Sequence, residues 1–322
     1  MAIISASRRS DIPAFFAHWF MERVRQGFFH RVNPFNAHQV KAISLRPEDV
    51  DAIVFWTKNP KPLFPFLAEL DDRGLNYYVQ FTLNPYERSF EPNLPSLSER
   101  IHTFRTLSEM IGPRRLVWRY DPLILSSRTP LEYHREMFDR MATELRGASL
   151  RVMFSFLDFY GKARGRLRGI QREQGVVIQD VRGEGFAAER WRLLADMRAS
   201  AEDNGMELCS CAEAEELERI GIRHGHCIDG GLVRELFGNR GNFSKDKYQR
   251  KECGCVESVD MGAYNSCPFQ CVYCYANASP KAVAANLKKH NPTGSALIGD
   301  YPLERSAVRP VKETESGQHP LF

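Results

Sequence analysis

The sequence predicts an α/β fold in which parallel strands form a (β/α) barrel or a partial barrel. Short β-rich runs lie at residues 3–7, 53–57, 77–83, 116–120, 151–157 and 206–210. Helical patterns separate most of these runs, and strands that alternate with helices favour parallel βα units. Most runs are apolar at the start and polar at the end, as expected where a barrel carries its site at the carboxyl edge. We therefore predict one barrel-like domain over residues 1–290 and a C-terminal tail over residues 291–322.

The helical patterns have recognisable start and stop signals. Residues 11–13 place an N-capping aspartate and a proline before a stripe of apolar residues, and Gly27 ends that stripe. This combination predicts an amphipathic helix over residues 13–26. Further helices are predicted at residues 96–111, 130–146, 186–203 and 212–220.

Composition narrows the class of protein. With 322 residues, of which 43% are hydrophobic, the chain is long enough to bury a full core. The balance of 44 basic and 40 acidic residues gives a net charge of only +4, which does not by itself indicate a nucleic-acid partner. We find no signal-peptide pattern and no apolar run of about 18 residues, so we expect a cytoplasmic protein without a membrane partner.

Polar side chains follow five of the predicted strands. A polar residue after one strand is commonly a turn former, but the same arrangement at five strands favours a site. The predicted catalytic residues are Lys58, Arg119, Asp121 and Asp158. Together with Arg8 and Arg9, the basic residues of this set favour an anionic group of a cofactor or substrate.

Eight cysteines lie between residues 209 and 274, and in a reducing compartment such a cluster indicates metal ligands rather than disulfides. The sharpest pattern is Cys267-Pro-Phe-Gln-Cys271-Val-Tyr-Cys274. Three closely spaced thiolates suit three irons of a 4Fe-4S cluster and leave the fourth iron open. The alternative is zinc, for which Cys271 and Cys274 would form half of a tetrahedral site.

This cysteine spacing, with Tyr273 before the last cysteine, resembles the motif of radical S-adenosylmethionine enzymes. The resemblance implies that S-adenosylmethionine binds the open iron and that the reduced cluster cleaves it to a 5′-deoxyadenosyl radical, which attacks a small-molecule substrate. It also implies an electron donor such as flavodoxin or ferredoxin. Many members of that superfamily hold the cofactor with a Gly-Gly-Glu motif that is missing here. The residues predicted to bind the cofactor instead are Arg8, Arg9, Ser10, Asp11, Gln80, Thr82 and Tyr273.

The order of the units departs from that superfamily, because its cluster-binding unit normally opens the barrel. Here a predicted strand at residues 256–263, the cysteine loop and a predicted helix at residues 280–290 lie near the C-terminus. Circular permutation accounts for this order, since chain ends of compact domains often lie close together. It predicts that residues 256–263 pair in parallel with residues 3–7. A separate metal domain appended to a complete barrel is the alternative.

A second set of cysteines is formed by Cys211, Cys227, Cys253 and Cys255. Four thiolates suit an auxiliary 4Fe-4S cluster or a zinc ion. We expect Cys209 to be a buried apolar residue of its strand instead.

The chain as a whole resembles the bacterial domain of unknown function 1848 family. The matching segments are residues 3–15, 55–60, 80–82, 119–122, 211–213, 227–229, 253–255 and 267–277. The family name carries no reaction. Its C-terminal cysteines imply a relation to radical S-adenosylmethionine proteins, with distant similarity to spore photoproduct lyase.

Two further hypotheses follow. One is a nucleic-acid repair or modification enzyme with the same cofactor, whose basic run at residues 162–168 meets phosphates. The other is a non-catalytic zinc or iron-sulfur protein in which every cysteine is structural.

Overall fold

The computed structural model describes residues 1–239 and 241–301. Ten strands are present in this part of the chain: β1 (Ala2–Ala6), β2 (Phe28–Asn33), β3 (Asn36–Ser44), β4 (Val50–Thr57), β5 (Tyr77–Thr82), β6 (Leu116–Leu123), β7 (Arg151–Phe156), β8 (Glu207–Cys211), β9 (Arg223–Gly225) and β10 (Val259–Asp260). The α-helices of the same part are α1 (Ile12–Phe15), α2 (Ala17–Gln26), α3 (Leu67–Asp72), α4 (Leu97–Ile111), α5 (Leu131–Glu144), α6 (Gly161–Gln174), α7 (Ala187–Asp203), α8 (Gly230–Phe237) and α9 (Pro280–Leu287).

Eight strands form one sheet in the order β10-β1-β4-β5-β6-β7-β8-β9, and neighbouring strands are parallel throughout. The six β-rich runs of the sequence are all strands of this sheet, so the predicted α/β class is confirmed. The predicted closed barrel is not, because no pairing joins β9 to β10 within the described residues. Both end strands are short, with three and two residues, which leaves little backbone for such a pairing.

Residues after β9 and before β10 meet on one face of the sheet instead. The backbone N–H of Val256 donates to the carbonyl oxygen of Ile228 at 3.1 Å. Tyr78 and Gln80, from the middle of the sheet, both donate side-chain hydrogen bonds to the carbonyl oxygen of Cys227. Residues 227–256 therefore fill the face that a closed barrel would fill with side chains of its own strands.

The two faces of the sheet follow the two-residue periodicity of its strands. Ile4, Phe55 and Val79 point to a large apolar core that includes side chains of α2, α4, α5 and α7. Ile3, Val54 and other alternate residues point to a smaller core that contains Cys209 and three of the predicted ligand cysteines, and the fourth, Cys211, packs against it. The expected place of Cys209 within a strand core is thus confirmed.

Two predicted helices differ in the structure. The N-terminal helix is divided at Phe16 into α1 and α2, although the Asp11 cap and the left-handed Gly27 end are both present. The helix predicted at residues 212–220 is wrong, because Ala212 has a φ of 56° and only Leu217–Ile220 form a short 3₁₀ turn. The buried Glu213 carboxylate accepts a hydrogen bond from Phe156 N, which draws this segment toward β7.

Strand β10 pairs in parallel with β1, as predicted. Ile4 lies beside Val259 and Ser5 beside Asp260, 255 residues later in the chain. The predicted strand at 256–263 is shorter than expected, since only Val259 and Asp260 have strand geometry. The cysteine loop therefore leaves the sheet directly beside the segment that follows β1.

The first part of the predicted tail packs on the N-terminal helices. Trp19 Nε1 donates to Gly294 O at 2.9 Å, and Arg23 donates to Thr293 O at 2.8 Å. Residues 302–322 of the predicted tail lie outside the described residues. None of the helices described is long and apolar enough to cross a membrane.

Candidate active site

A cavity of about 300 Å³ opens at the carboxyl edge of the parallel sheet. Its walls come from the segments that follow β1, β4, β7, β8 and β9, from the ends of β5 and β6, and from the cysteine loop after β10. The predicted site residues that line it are Arg8, Arg9, Ser10, Asp11, Lys58, Thr82, Arg119, Asp121, Asp158, Tyr273, Cys211, Cys227, Cys253, Cys255, Cys267, Cys271 and Cys274. Residues far apart in sequence thus meet because parallel strands end at one edge.

Gln80 is the predicted site residue that this cavity does not include. It is 1% exposed and lies within β5, and its amide nitrogen donates to Cys227 O at 2.9 Å. This position does not support the predicted contact of Gln80 with a cofactor. The side chain lies in the middle of its strand, where Cys227 covers it, and not at the carboxyl edge where the cavity opens.

The cysteine triplet lies in the loop between β10 and α9. Burial raises the pKa of Cys271 to about 12, although the charge of Lys58 opposes this shift. Burial also raises the pKa of Cys267 well above that of a free thiol, and the charge of Asp11 adds to the effect. Both side chains are therefore neutral thiols near pH 7 and must lose their protons to ligate a metal.

A buried ionic network supports this loop from the side of β4. Lys58 Nζ lies 2.7 Å from Glu91 Oε1, and Arg100 contacts the other carboxylate oxygen at 3.4 Å. The Tyr273 hydroxyl donates a hydrogen bond to Glu91 Oε1 as well. Glu91 is 2% exposed and lies in an irregular segment without periodicity, so sequence patterns did not identify it.

Arg166 supports the same loop from α6. Its guanidinium donates to Val272 O at 3.0 Å, to Asn277 O at 2.8 Å and to Cys274 O. The sequence placed this residue in a basic run with a potential role at phosphates. In the structure its donors serve peptide carbonyls of the cysteine loop, which weakens the case for a nucleic-acid contact at this position.

The segment from Ser7 to Asp11 is positioned by Asp260 of β10. The Asp260 carboxylate accepts hydrogen bonds from Ser5 Oγ, Ser7 Oγ, Arg8 N and Gly262 N at 2.8–2.9 Å. Gly262 has no room for a side chain, because an added Cβ would lie 1.9 Å from Ser7 Oγ. Asp260 therefore joins the start of the cysteine loop to the predicted cofactor-binding segment.

Asp11 has two structural contacts and an unusual acidity. Its carboxylate accepts hydrogen bonds from Ala14 N at 3.0 Å and from Lys58 N at 2.7 Å, which links α1 to the end of β4. Burial raises the pKa of Asp11 to about 7, and these hydrogen bonds only partly oppose the shift. The residue can therefore be neutral or charged at physiological pH.

The second cysteine set lines the same cavity. Cys211 Sγ and Cys227 Sγ are 2.8 Å apart, and Arg119 donates to Cys227 Sγ at 2.7 Å. Hydrogen bonds from Cys211 and Cys255, together with the charge of Arg119, lower the pKa of Cys227 well below that of a free thiol. A hydrogen bond from Cys255 lowers the pKa of Cys253 to about 7. Hydrogen bonds to Cys227, together with burial, raise the pKa of Cys211 and of Cys255 well above that of a free thiol. Cys227 and Cys253 therefore favour the thiolate, the form that ligates metals, whereas Cys211 and Cys255 must lose a proton to do so.

Arg119 also forms an ion pair with Asp121, which in turn accepts a hydrogen bond from Ser155. Asp158 pairs with Arg250 Nη1 at 2.7 Å. Two of the predicted catalytic acids are thus held by guanidinium groups at the cavity wall.

The donor atoms suit the predicted metal groups by chemistry, but the thiols are not spread around a metal position. Within the described part of the chain, no three His, Cys, Asp or Glu side chains are arranged to hold a metal ion. Two thiolates on one tetrahedral zinc lie about 3.8 Å apart, given Zn–S bonds of about 2.3 Å. The 2.8 Å between Cys211 and Cys227 is a thiol hydrogen bond, so ligation requires these sulfurs to separate.

Comparison with known proteins assigns the family. No curated protein matches the chain. Residues 3–276 match the family model described as a domain of unknown function, DUF1848, and this match covers all seven predicted ligand cysteines. The chain therefore belongs to the DUF1848 family.

Proposed function

We propose that the protein is a radical S-adenosylmethionine enzyme in which Cys267, Cys271 and Cys274 hold a 4Fe-4S cluster. When bound, such a cluster donates the electron that splits S-adenosylmethionine into methionine and a 5′-deoxyadenosyl radical. The supporting observation is that the three thiols share one cavity with charged residues from most strand ends. The cavity is also large enough for a small ligand.

The parallel pairing of β10 with β1 supports a circularly permuted version of the superfamily fold. In this proposal the open sheet is a partial barrel that begins with β10, and β1 is its second strand. The fold would then present Ser7–Asp11 where related enzymes hold the methionine end of the cofactor. Asp11 suits its ammonium group, and a raised pKa allows Asp11 to accept a proton.

The chain's own residues have separable roles in this proposal. Glu91, Lys58 and Arg166 orient the cysteine loop, because their contacts fix Tyr273 and the loop carbonyls. Arg119 stabilises a thiolate at Cys227 and orients Asp121 toward the cavity. Tyr160 and Tyr275, whose ring centroids are 5.3 Å apart, provide an apolar wall that excludes water.

The second cysteine set is proposed to hold an auxiliary 4Fe-4S cluster, with zinc as the alternative. The ligands would be Cys211, Cys227, Cys253 and Cys255. We further propose a cytoplasmic location, a small-molecule substrate and an acidic one-electron donor of the flavodoxin or ferredoxin kind.

Anaerobic reconstitution with iron and sulfide tests this proposal. We expect about eight irons per chain, and about four if the second set holds zinc. Addition of dithionite and S-adenosylmethionine should then produce 5′-deoxyadenosine, which chromatography detects. Cys271→Ser should abolish this product. A protein that binds only zinc, with no 5′-deoxyadenosine, would support the non-catalytic alternative instead.

A further inference from the structure

Arg9 differs from the other cations of the cavity. Among the described residues that line the cavity, four cations have a carboxylate within 4 Å: Lys58 with Glu91, Arg119 with Asp121, Arg250 with Asp158 and Arg8 with Asp246. Arg9 is 7% exposed, and no carboxylate of residues 1–239 or 241–301 lies within salt-bridge distance of its guanidinium. A buried charge without a hydrogen-bonded partner is costly, so this position favours an anion.

The nearest acid does not supply that partner. Burial opposes ionisation of Asp260, but the charges of Arg9 and Arg8 outweigh it and lower the pKa of Asp260. Its two oxygens already accept four hydrogen bonds, from Ser5, Ser7, Arg8 and Gly262. A carboxylate has about four lone-pair positions, so Asp260 has no free position to accept a hydrogen bond from the Arg9 guanidinium.

Two further groups beside Arg9 suit an anion. Ser10 Oγ is buried without a hydrogen-bond partner, although Ser10 lines the same cavity. The Arg9 guanidinium lies 5.0 Å from the ring centroid of Tyr264, and Lys162 Nζ lies 4.7 Å from the same centroid. Tyr264 thus contacts both a buried and an exposed cation, near the start of the cysteine loop.

We infer that Arg9, Ser10 and Lys162 form a subsite for an oxyanion, a carboxylate or a phosphate, carried by the substrate. The guanidinium binds two oxygens side by side, the serine hydroxyl donates to one of them, and the lysine attracts the group from solvent. The substrate is therefore an acidic small molecule. The assignment of this anion to a substrate rests on the proposed function. The existence of the anion site does not.

The position of the subsite favours substrate over the cofactor's own carboxylate. The charged groups that act on the triplet thiols include Asp11, beside Cys267, and Lys58, beside Cys271. Arg9 does not act on these thiols and contacts the ring of Tyr264 instead, which the exposed Lys162 also contacts.

Binding of inorganic phosphate to the reconstituted protein, measured at constant ionic strength by thermal unfolding, tests the site. We expect Arg9→Gln to raise the phosphate Kd at least tenfold and Arg9→Lys to raise it less. Lys162→Gln should raise it about threefold, and this exposed side chain can be changed without risk to folding. Arg168→Gln, on an exposed residue of the same helix, should leave the Kd unchanged. Equal phosphate affinity in wild type, Arg9→Gln and Lys162→Gln would overturn the subsite.

Repeating the phosphate titration with saturating S-adenosylhomocysteine tests whether Arg9 binds an anion of the substrate or the carboxylate of the cofactor. An unchanged phosphate Kd supports a separate substrate subsite. Displacement of phosphate by this analogue, with a tenfold weaker analogue affinity in Arg9→Gln, would assign Arg9 to the cofactor and refute the substrate assignment. If the analogue does not bind while phosphate binding still depends on Arg9, the proposed function fails and the anion site stands.

Discussion

At the scale of single residues, Arg166 shows how a guanidinium can organise a loop without an acidic partner. Its donors reach the carbonyl oxygens of Val272, Cys274 and Asn277, which lie within and just after the cysteine triplet. Hydrogen bonds from a charged donor to peptide carbonyls are stronger than neutral ones. Arg166 therefore limits the conformations that the cysteine loop can adopt.

We predict that Arg166→Gln lowers the iron retained per folded chain to less than half, because a shorter neutral amide cannot span these carbonyls. Arg166→Lys should restore part of the iron, since an ammonium still donates to one or two of them. Iron is measured after anaerobic reconstitution and desalting, together with the electron paramagnetic resonance spectrum of the reduced cluster. Arg168→Gln on the same helix is the matched control. Equal iron and identical spectra in Arg166→Gln would contradict the role.

His134 is a buried histidine outside the cavity, and its burial affects its pKa. It is 0% exposed between the Tyr120 hydroxyl, 2.8 Å from Nδ1, and the Ile124 carbonyl oxygen, 2.9 Å from Nε2. Burial lowers the pKa of His134 to about 4, and the hydrogen bond to Ile124 only partly opposes this. The unfolded chain, with a pKa near 6.5, therefore binds the proton more readily than the folded protein does.

It follows that His134 makes the protein less stable as the pH falls from about 6.5 to about 4, with a total loss of about 3 kcal/mol. Above pH 6.5 both states are neutral and the residue adds no pH dependence. Urea unfolding of wild type and His134→Gln at several pH values should show the smaller slope in the variant. His102→Gln, at an exposed residue of α4, should keep the wild-type slope.

Membership of the candidate site could be predicted from the sequence for residues that belong to a spaced motif or follow a predicted strand. The cysteines and the charged residues after the strands were found in this way. The roles of Glu91, Arg166 and Asp260 were not, because each has a decisive partner that lies at least 33 residues away in the chain. Their contacts depend on which segments the sheet brings together, and no local pattern reports that.

At the scale of elements, the pairing of β10 with β1 depends on more than two backbone positions. Strand β10 has only two residues, so few ladder hydrogen bonds hold it. The buried Asp260 carboxylate adds hydrogen bonds to Ser5, Ser7 and the backbone of Arg8. A side chain thus supplies much of the connection between the first strand and the cysteine loop.

We predict that Asp260→Asn lowers the free energy of unfolding by about 2 to 3 kcal/mol, because an amide turns two donors toward groups that need an acceptor. It also removes the negative charge that acts on Arg8 and Arg9 from this side. Urea unfolding at pH 7 measures the loss. Asp72→Asn, at an exposed residue of α3, should change stability by less than about 0.5 kcal/mol. If Asp260→Asn lowers the free energy of unfolding no more than this control does, Asp260 does not hold β1 to the cysteine loop.

The elements themselves were predictable where apolar periodicity was strong. Long helices such as α4, α5 and α7 match the predicted ranges closely. The β2–β3 hairpin and α6 were not predicted, because the exposed hairpin residues and the basic face of α6 dilute the periodic signal. The false helix at residues 212–220 has good helical composition, but Glu213 forms tertiary contacts that override that propensity.

At the scale of the whole molecule, the second cysteine set is part of a core as well as of the cavity wall. Cys227, Cys253 and Cys255 are packed with Val54, Tyr78 and other residues from the inner face of the sheet. The described residues of this segment, 227–239 and 241–256, have one helix, α8, and only scattered further backbone hydrogen bonds, so their position depends on these contacts. The triplet, by contrast, packs with a small separate cluster that includes Phe269.

The two cysteine sets should therefore respond differently to mutation. We predict that Cys255→Ser lowers the yield of folded protein several-fold, because the metal proposed for this set would contribute folding energy and the serine hydroxyl is buried without the thiol's contacts. Cys271→Ser should fold with near wild-type yield but lose about four irons, since its loop adds little to the main core. Soluble yield, circular dichroism and iron content separate these outcomes.

Cys209→Ser is the control for a buried cysteine outside both sets, and it should keep all the iron at a modest cost in stability. Equal folded yields for Cys255→Ser and Cys271→Ser would show that the second set does not hold the inner face of the sheet together.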